Sequence, residues 1–365
     1  MSTTENAVEP RTAPKPQPMR VSRSGRKPIL AVTLGDAAGV GPELCLHLLN
    51  RVVEEELPYH VAVIGDIEIL LRVSAEMDRD FRPHVLVREE FEETEEKAKL
   101  FKQHGSFVID TPWLKDKNVE PGCVQKACGK AAGEFIRYAV EGVLAGTFDG
   151  ILTAPINKES LHLGGFDFPG HTEMLASLAG VSGEEAMLLF SEKISVGFAT
   201  LHTALSNACA QLRSEEIVRV GLLMNRTLER LYSRPVRLGV LALNPHAGES
   251  GLFGREEIEI IQPAIAALER EGVMADGPLV PDAAFVPNVL HRFDGFLCMY
   301  HDQGSIPFKM LSFDEGVNLT MGLPLIRTSP DHGTAFDIAW QGIASPSSFF
   351  AAADLAGRLM RSDEK

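Results

Sequence analysis

The sequence is short of most features that would send it to a membrane, a nucleic acid or an oxidising compartment. No run approaches the ~18 consecutive apolar residues of a membrane-spanning helix, and the N-terminal stretch lacks the short apolar core of a secretory signal. Positive charge is scarce: 35 Lys and Arg against 50 Asp and Glu leave a net charge of −15. That balance excludes a general affinity for nucleic acid or anionic lipid, which need clustered cations, yet it leaves room for one small basic pocket. Five cysteines, Cys45, Cys123, Cys128, Cys209 and Cys298, include no CxxC pair. They read as reduced thiols, mostly small buried hydrophobes, in a cytoplasmic protein.

What is present is an alternation of strand and helix signals over 365 residues, enough chain for two domains or one large unit with an added lobe. Residues Met1 to Pro28 hold five prolines and almost no apolar periodicity, so they read as a disordered tail, with order starting at Ile29. ILAVTLG (Ile29 to Gly35), YHVAVIGD (Tyr59 to Asp66), GILTAP (Gly150 to Pro155), VRLGVLALN (Val236 to Asn244) and FLCMY (Phe296 to Tyr300) have strand length and apolarity. Helical patterns follow Pro42 and cover about Ile67 to Ala75, Val124 to Leu144 and Glu256 to Glu271. Strands separated by such helices imply parallel pairing and an α/β fold, whose ligands gather at the carboxyl ends of the strands.

The polar clusters do fall at those ends. In LGDAAGVGPEL, Gly35, Gly39 and Gly41 form either a tight turn or an anion loop; the spacing matches neither the dinucleotide fingerprint nor the phosphate loop. GHTEM places His171 in a polar loop, as a solvated histidine or a ligand, with Thr172 as a candidate helix cap. His202, His246 and His301 each follow an apolar strand-like run. Three neutral imidazoles can hold a metal and leave a position open, but without an HxxxH pair they have to converge from separate strands. In MYHDQGSIPFK, Asp302 and Gln303 follow His301 at the end of FLCMY, and Lys309 lies past a turn. Asn318 and Arg327 flank LTMGLPLI, read as one strand. An Arg fork, an Asn amide and the Lys309 point charge suit a phosphorylated or carboxylated ligand; a surface ion pair is the other reading of Arg327. Asp331, His332 and Gly333 are either catalytic or hold a turn.

The segments GPEL, TAPINK, GHTEM, LNPHAGE, GPL, MYHDQG, GVNLTMGLPLIRTS and DHGTA, in this order, closely resemble the 4-hydroxythreonine-4-phosphate dehydrogenase family of pyridoxal phosphate biosynthesis, from about Ile29 to Ala356. The resemblance implies a two-lobed α/β fold like that of the isocitrate and isopropylmalate dehydrogenases, with mostly parallel sheets and a cleft between lobes. Residues 29–157 plus 320–365 would form the cofactor lobe, and residues 158–319 the lobe of the metal site and dimer interface. It further implies NAD bound without a glycine fingerprint, and a divalent cation (Zn, Mg or Co) on His202, His246 and His301 across a homodimer interface. Substrate contacts fall on His171, Thr172, Lys309, Asn318 and Arg327, and Lys309, Asp302 and His332 are the catalytic candidates.

The implied reaction is oxidation of a secondary alcohol at C3 of a small phosphorylated acid, followed by loss of CO2. The family pattern usually has Glu-Pro where this chain has Asp36 and Ala37. With SIPFK and GTAFDIAWQGIA, this points to a branch acting on 4-phosphothreonate or 4-phosphoerythronate and giving dihydroxyacetone phosphate. Rival readings are a metal-dependent hydrolase on the same histidines, a phosphate acyltransferase of related fold and a non-catalytic binding module.

Overall fold

A computed structural model describes residues 26–361, except 79–80, 82 and 95–96. Most of the expected tail, residues 1–25, lies outside the described residues. The chain is fastened slightly ahead of Ile29, because the Arg26 guanidinium stands 3.0 Å from Asp149 Oδ1.

Twelve strands join in one sheet among the described residues. In chain order they are β1 (Ile29–Thr33), β2 (His60–Gly65), β3 (Val85–Val87), β4 (Ser106–Asp110), β5 (Gly150–Thr153) and β6 (Ala186–Phe190). They continue with β7 (Ser195–Phe198), β8 (Arg237–Leu241), β9 (Met274–Leu279), β10 (Gly295–Cys298), β11 (Val317–Met321) and β12 (Ile326–Pro330). Across the sheet the order is β3-β4-β2-β1-β5-β12-β11-β6-β7-β10-β8-β9. Strands such as ILAVT and GILT are buried at every position, as expected where helices cover both faces of a parallel sheet. The fold is α/β, with mostly parallel pairing.

The centre departs from parallel pairing. LTMGLPLI is two strands rather than one: β11 runs antiparallel to β12 and also to β6, and β6 is antiparallel to β7. Only residues 322–325 and 191–194 separate the two consecutive pairs, too little chain for a helical crossover. Gly322 makes the first turn at φ +83°, where a Cβ would stand 2.0 Å from the Glu184 carbonyl oxygen, so only glycine serves there.

Two groups of parallel strands present their carboxyl ends to the functional residues. On one side β1, β5 and β12 end at Thr33, Thr153 and Pro330, and their loops interlock: Asp36 N–H donates to the Pro155 carbonyl at 2.9 Å, and Val40 N–H to that of Thr334 at 3.0 Å. On the other side the neighbours β7, β10 and β8 lead directly to His202, His301 and His246.

Three further expectations change. The SIPFK segment is helical, within His301–Ser312, despite an internal Pro307. Burial of Gly304, Ser305, Phe308 and Ser312 on its inner face holds the helix. The helix expected over Glu256 to Glu271 opens with a π-turn, Glu257–Ile261, before the α-helix Gln262–Arg270. Pro263 supplies no N–H there, which accounts for the looser turn. All five cysteines are free, but Cys123 and Cys209 are exposed rather than buried. Among the described residues no helix is long and apolar enough to cross a membrane.

Candidate active site

Arg327 lies in the middle of the sheet, 2% exposed. Its guanidinium donates to Thr320 Oγ1 at 3.0 Å and to Thr153 Oγ1 at 2.7 and 3.2 Å. Among the described residues no carboxylate touches it. Burial pushes its pKa down to about 9, against the attraction of the Glu173 carboxylate. A buried cation satisfied only by hydroxyls is destabilising in the free protein and favours an incoming anion. The surface ion pair considered for Arg327 is therefore excluded.

Strand register gathers polar groups around it. Thr320 sits opposite Arg327, and Asn318 opposite Ser329, so alternation puts all four on one face. Asn318 Nδ2 lies 3.3 Å from Met187 Sδ, while its Oδ1 is buried without a partner. His171 is not a solvated loop residue: it opens the helix His171–Leu178, and its Nε2 is buried without a partner. Desolvation first, and the Arg327 charge second, hold its pKa well below the usual histidine range, so its ring is neutral at physiological pH. Gly170, with no side-chain bond, caps that helix; Thr172 is its second residue and not the cap. The guanidinium is the group that can receive a tetrahedral oxyanion here, and the unpartnered buried atoms of His171 and Asn318 beside it mark polar groups left open for a ligand.

Lys309 is committed elsewhere. Its ammonium lies 3.1 Å from Asp331 Oδ2, tying the helix His301–Ser312 to the loop after β12. His332 is exposed and turns Nδ1 to the Gly333 carbonyl at 3.0 Å. Among the described residues neither forms a hydrogen bond or ion pair with Arg327 or His171.

The histidines predicted for a metal have a different setting. His202 and His246 adopt φ of 48° and 52°, a left-handed backbone that costs non-glycine residues about 1–3 kcal/mol each and concentrates at functional sites. The rings of His202 and His301 lie 6.0 Å apart on a cavity of about 240 Å³ that Thr200, Leu205, Tyr300 and Asp302 also line. His301 Nδ1 is 2.6 Å from Asp302 Oδ1, the carboxylate–imidazole pairing that orients a ligating ring, and its Nε2 stands 3.4 Å from Ser305 Oγ. Burial, then the charges of Lys158 and His301, lower the His202 pKa, favouring the neutral form that ligates. His246 stands apart beside Phe253 at 6.4 Å. Among the described residues no three His, Cys, Asp or Glu side chains converge as a metal site. The donor types fit a divalent cation, and one chain brings two of the three imidazoles together.

Gln303 is structural: Met299 N–H donates to its Oε1 and its Nε2 donates to the Ala242 carbonyl, both at 2.7 Å, tying β10 to β8. Sequence reasoning did not single out Thr153, at the end of β5, or Thr320, inside β11. It did not weigh Lys158 of TAPINK or the burial of Asp36. Asp36 accepts Ala38 N–H at 3.0 Å on Oδ1, while Oδ2 has no partner. Burial raises its pKa to about 6.

The family described as "Pyridoxal phosphate biosynthetic protein PdxA" matches over residues 58–356. The chain belongs to the PdxA family. A 4-hydroxythreonine-4-phosphate dehydrogenase of Aquifex aeolicus is 44% identical over 91% of this chain and 98% of its own. A D-threonate 4-phosphate dehydrogenase of Pectobacterium atrosepticum is 39% identical over 91% of this chain and 99% of its own. The crystal structure of a 4-hydroxythreonine-4-phosphate dehydrogenase from Klebsiella pneumoniae superposes with a TM-score of 0.79 at 40% identity, over 91% of this chain and 99% of that one. Within this PdxA family the chain is an oxidoreductase acting on a CH–OH group, which removes the hydrolase and binding-module readings.

Proposed function

We propose that this chain catalyses NAD-dependent, divalent-metal-dependent oxidation and decarboxylation of a 4-phosphorylated 3-hydroxy acid, 4-hydroxythreonine 4-phosphate or a close analogue. The buried Arg327, without a carboxylate and flanked by the unused atoms of His171 and Asn318, carries the reading. Arg327, His171, Thr172 and Asn318 take the phosphate, and Lys309 borders the site through Asp331. Anchoring the phosphate fixes the distance of C3 from the second cluster and uses binding energy for orientation. The cleft lies between residues 29–157 plus 320–365 and residues 158–319.

His202, His246 and His301 would hold the divalent cation, with Asp302 orienting His301. The metal, when bound, supplies Lewis-acid polarisation of a substrate oxygen. His332 and Gly333 border the place offered to the nicotinamide dinucleotide: His332 is exposed, and a Cβ on Gly333 would meet open space. A homodimer completes the histidine set. On the outer face of the helix His301–Ser312, Ile306 is 58% exposed, Met310 81% and Phe313 74% just beyond its end. This is an apolar stripe at i, i+4 and i+7 beside His301, and such a stripe is ordinarily covered. Free cysteines suit a cytoplasmic setting.

A second reading, oxidation of 4-phospho-D-threonate or 4-phospho-D-erythronate, is favoured by Asp36–Ala37 at the buried turn. NAD reduction with metal-loaded protein tests both, comparing 4-phosphohydroxythreonine, 4-phosphothreonate and 4-phosphoerythronate. Turnover is expected with at least one, and its preference selects the branch; no turnover with any of them overturns the proposal.

A further inference from the structure

We propose that Lys158 is the cation that receives the carboxylate of the substrate. The assignment rests on the substrate class inferred above, a small acid with an anion at each end. The Arg327 pocket accounts for one anion, and the second needs a cation displaced toward the His202–His301 pair.

Lys309, the lysine that sequence favoured, is held by Asp331 at 3.1 Å. Lys158 has no ion pair or hydrogen bond among the described residues, and it is exposed. Its charge reaches both His171 in the phosphate pocket and His202 in the other cluster, where the Glu173 carboxylate opposes it. Its Cε lies 3.6 Å from where a Cβ on Gly170 would be, at the start of the helix that carries His171. Glu173 Oε2 is 3.4 Å from the same point but forms no ion pair with the ammonium. Asn157 fixes the backbone by accepting Ser160 N–H at 2.9 Å, capping the turn that begins at Lys158. The side chain is thus mounted on a braced turn with its donors unused.

The ammonium pairs with the intact carboxylate, and that pairing disappears as CO2 leaves. Lys158 therefore acts on substrate affinity and on the demand for an acid, with little effect on carbon–carbon cleavage. The test separates the two anionic ends, using inorganic phosphate and unphosphorylated D-threonate as probes in titration calorimetry of the metal-loaded dimer. Lys158→Met is expected to weaken D-threonate about tenfold or more and to leave phosphate within about twofold. Arg327→Met should do the reverse. In turnover, Lys158→Met should raise KM with kcat nearly unchanged, and Lys158→Arg should recover part of the loss.

The assignment is overturned if Lys158→Met binds D-threonate as the parent does, loses phosphate equally, or if the parent itself binds no D-threonate. These readouts do not need turnover. Absent NAD reduction would remove the functional reading while the binding data still decide Lys158.

Discussion

The two clusters of the site are built on opposite principles. The Arg327 pocket is completed by strand register inside one chain: cross-strand pairing sets Thr320 beside Arg327, and burial leaves His171 Nε2 and Asn318 Oδ1 unpaired. The histidine cluster stands at the surface, on left-handed turns and a helix start, with only His202 and His301 close to each other. One region stores its function as an unsatisfied charge in a finished core. The other stores it as an incomplete set beside an exposed apolar stripe. The first is assembled within one chain, whereas under the proposed function the second would be completed by a metal and a partner subunit.

Arg327→Met should break the comparison most sharply. Loss of the buried cation is expected to lower kcat/KM by about a thousandfold or more through lost phosphate binding. The free protein should meanwhile become more stable, by about 1–4 kcal/mol, because an unpaired buried charge is replaced by apolar volume. Steady-state kinetics and thermal unfolding check the two halves, and a fall in Tm would show that the pocket is satisfied in a way the hydroxyl contacts do not account for.

Next in size, Met310→Glu together with Phe313→Glu should shift sedimentation toward the monomer and reduce bound metal, while phosphate affinity stays intact. A dimer that persists with full metal content would argue that the stripe is not the interface. Asp302→Asn should be milder, weakening metal affinity by about 10–100-fold without dissociating the dimer, as competition with a chelator would read.

The smallest effect belongs to Asp36. Its pKa is raised by burial from 3.8 to about 6, so the folded state holds the proton more tightly than the unfolded one. Stability from this group is present at low pH and lost as pH rises through about 6. Asp36→Asn should therefore raise stability at neutral pH by up to about 3 kcal/mol, with the gain vanishing below about pH 4. A gain independent of pH would mean that the ionised carboxylate is not the source.

Much of the fold was legible because its strands are apolar on both faces and are punctuated by Gly, Pro and polar ends. Those features survive in one dimension. The β11–β12 hairpin was not legible, since a single Gly322 inside LTMGLPLI separates two strands that look like one. The helix through SIPFK was hidden by Pro307, whose local preference is outweighed by burial of Phe308 and its neighbours. The residue types at the strand ends, Arg327, His171 and the three histidines, were readable as candidates, whereas the pairing of Lys309 with Asp331 was not, because the partner lies in another part of the chain.

By itself, then, the sequence determined the α/β alternation, the family and the kinds of groups available at the carboxyl ends of the strands. These depend on local periodicity and residue chemistry. Only the tertiary structure decided which charges are already paired and which remain open. Among the described residues it left Lys309 paired with Asp331, Lys158 without an ion pair, Arg327 buried without an acid and His246 apart from its two companions. Electrostatic pairing and desolvation depend on residues brought together from distant segments, and no local pattern in the chain records them.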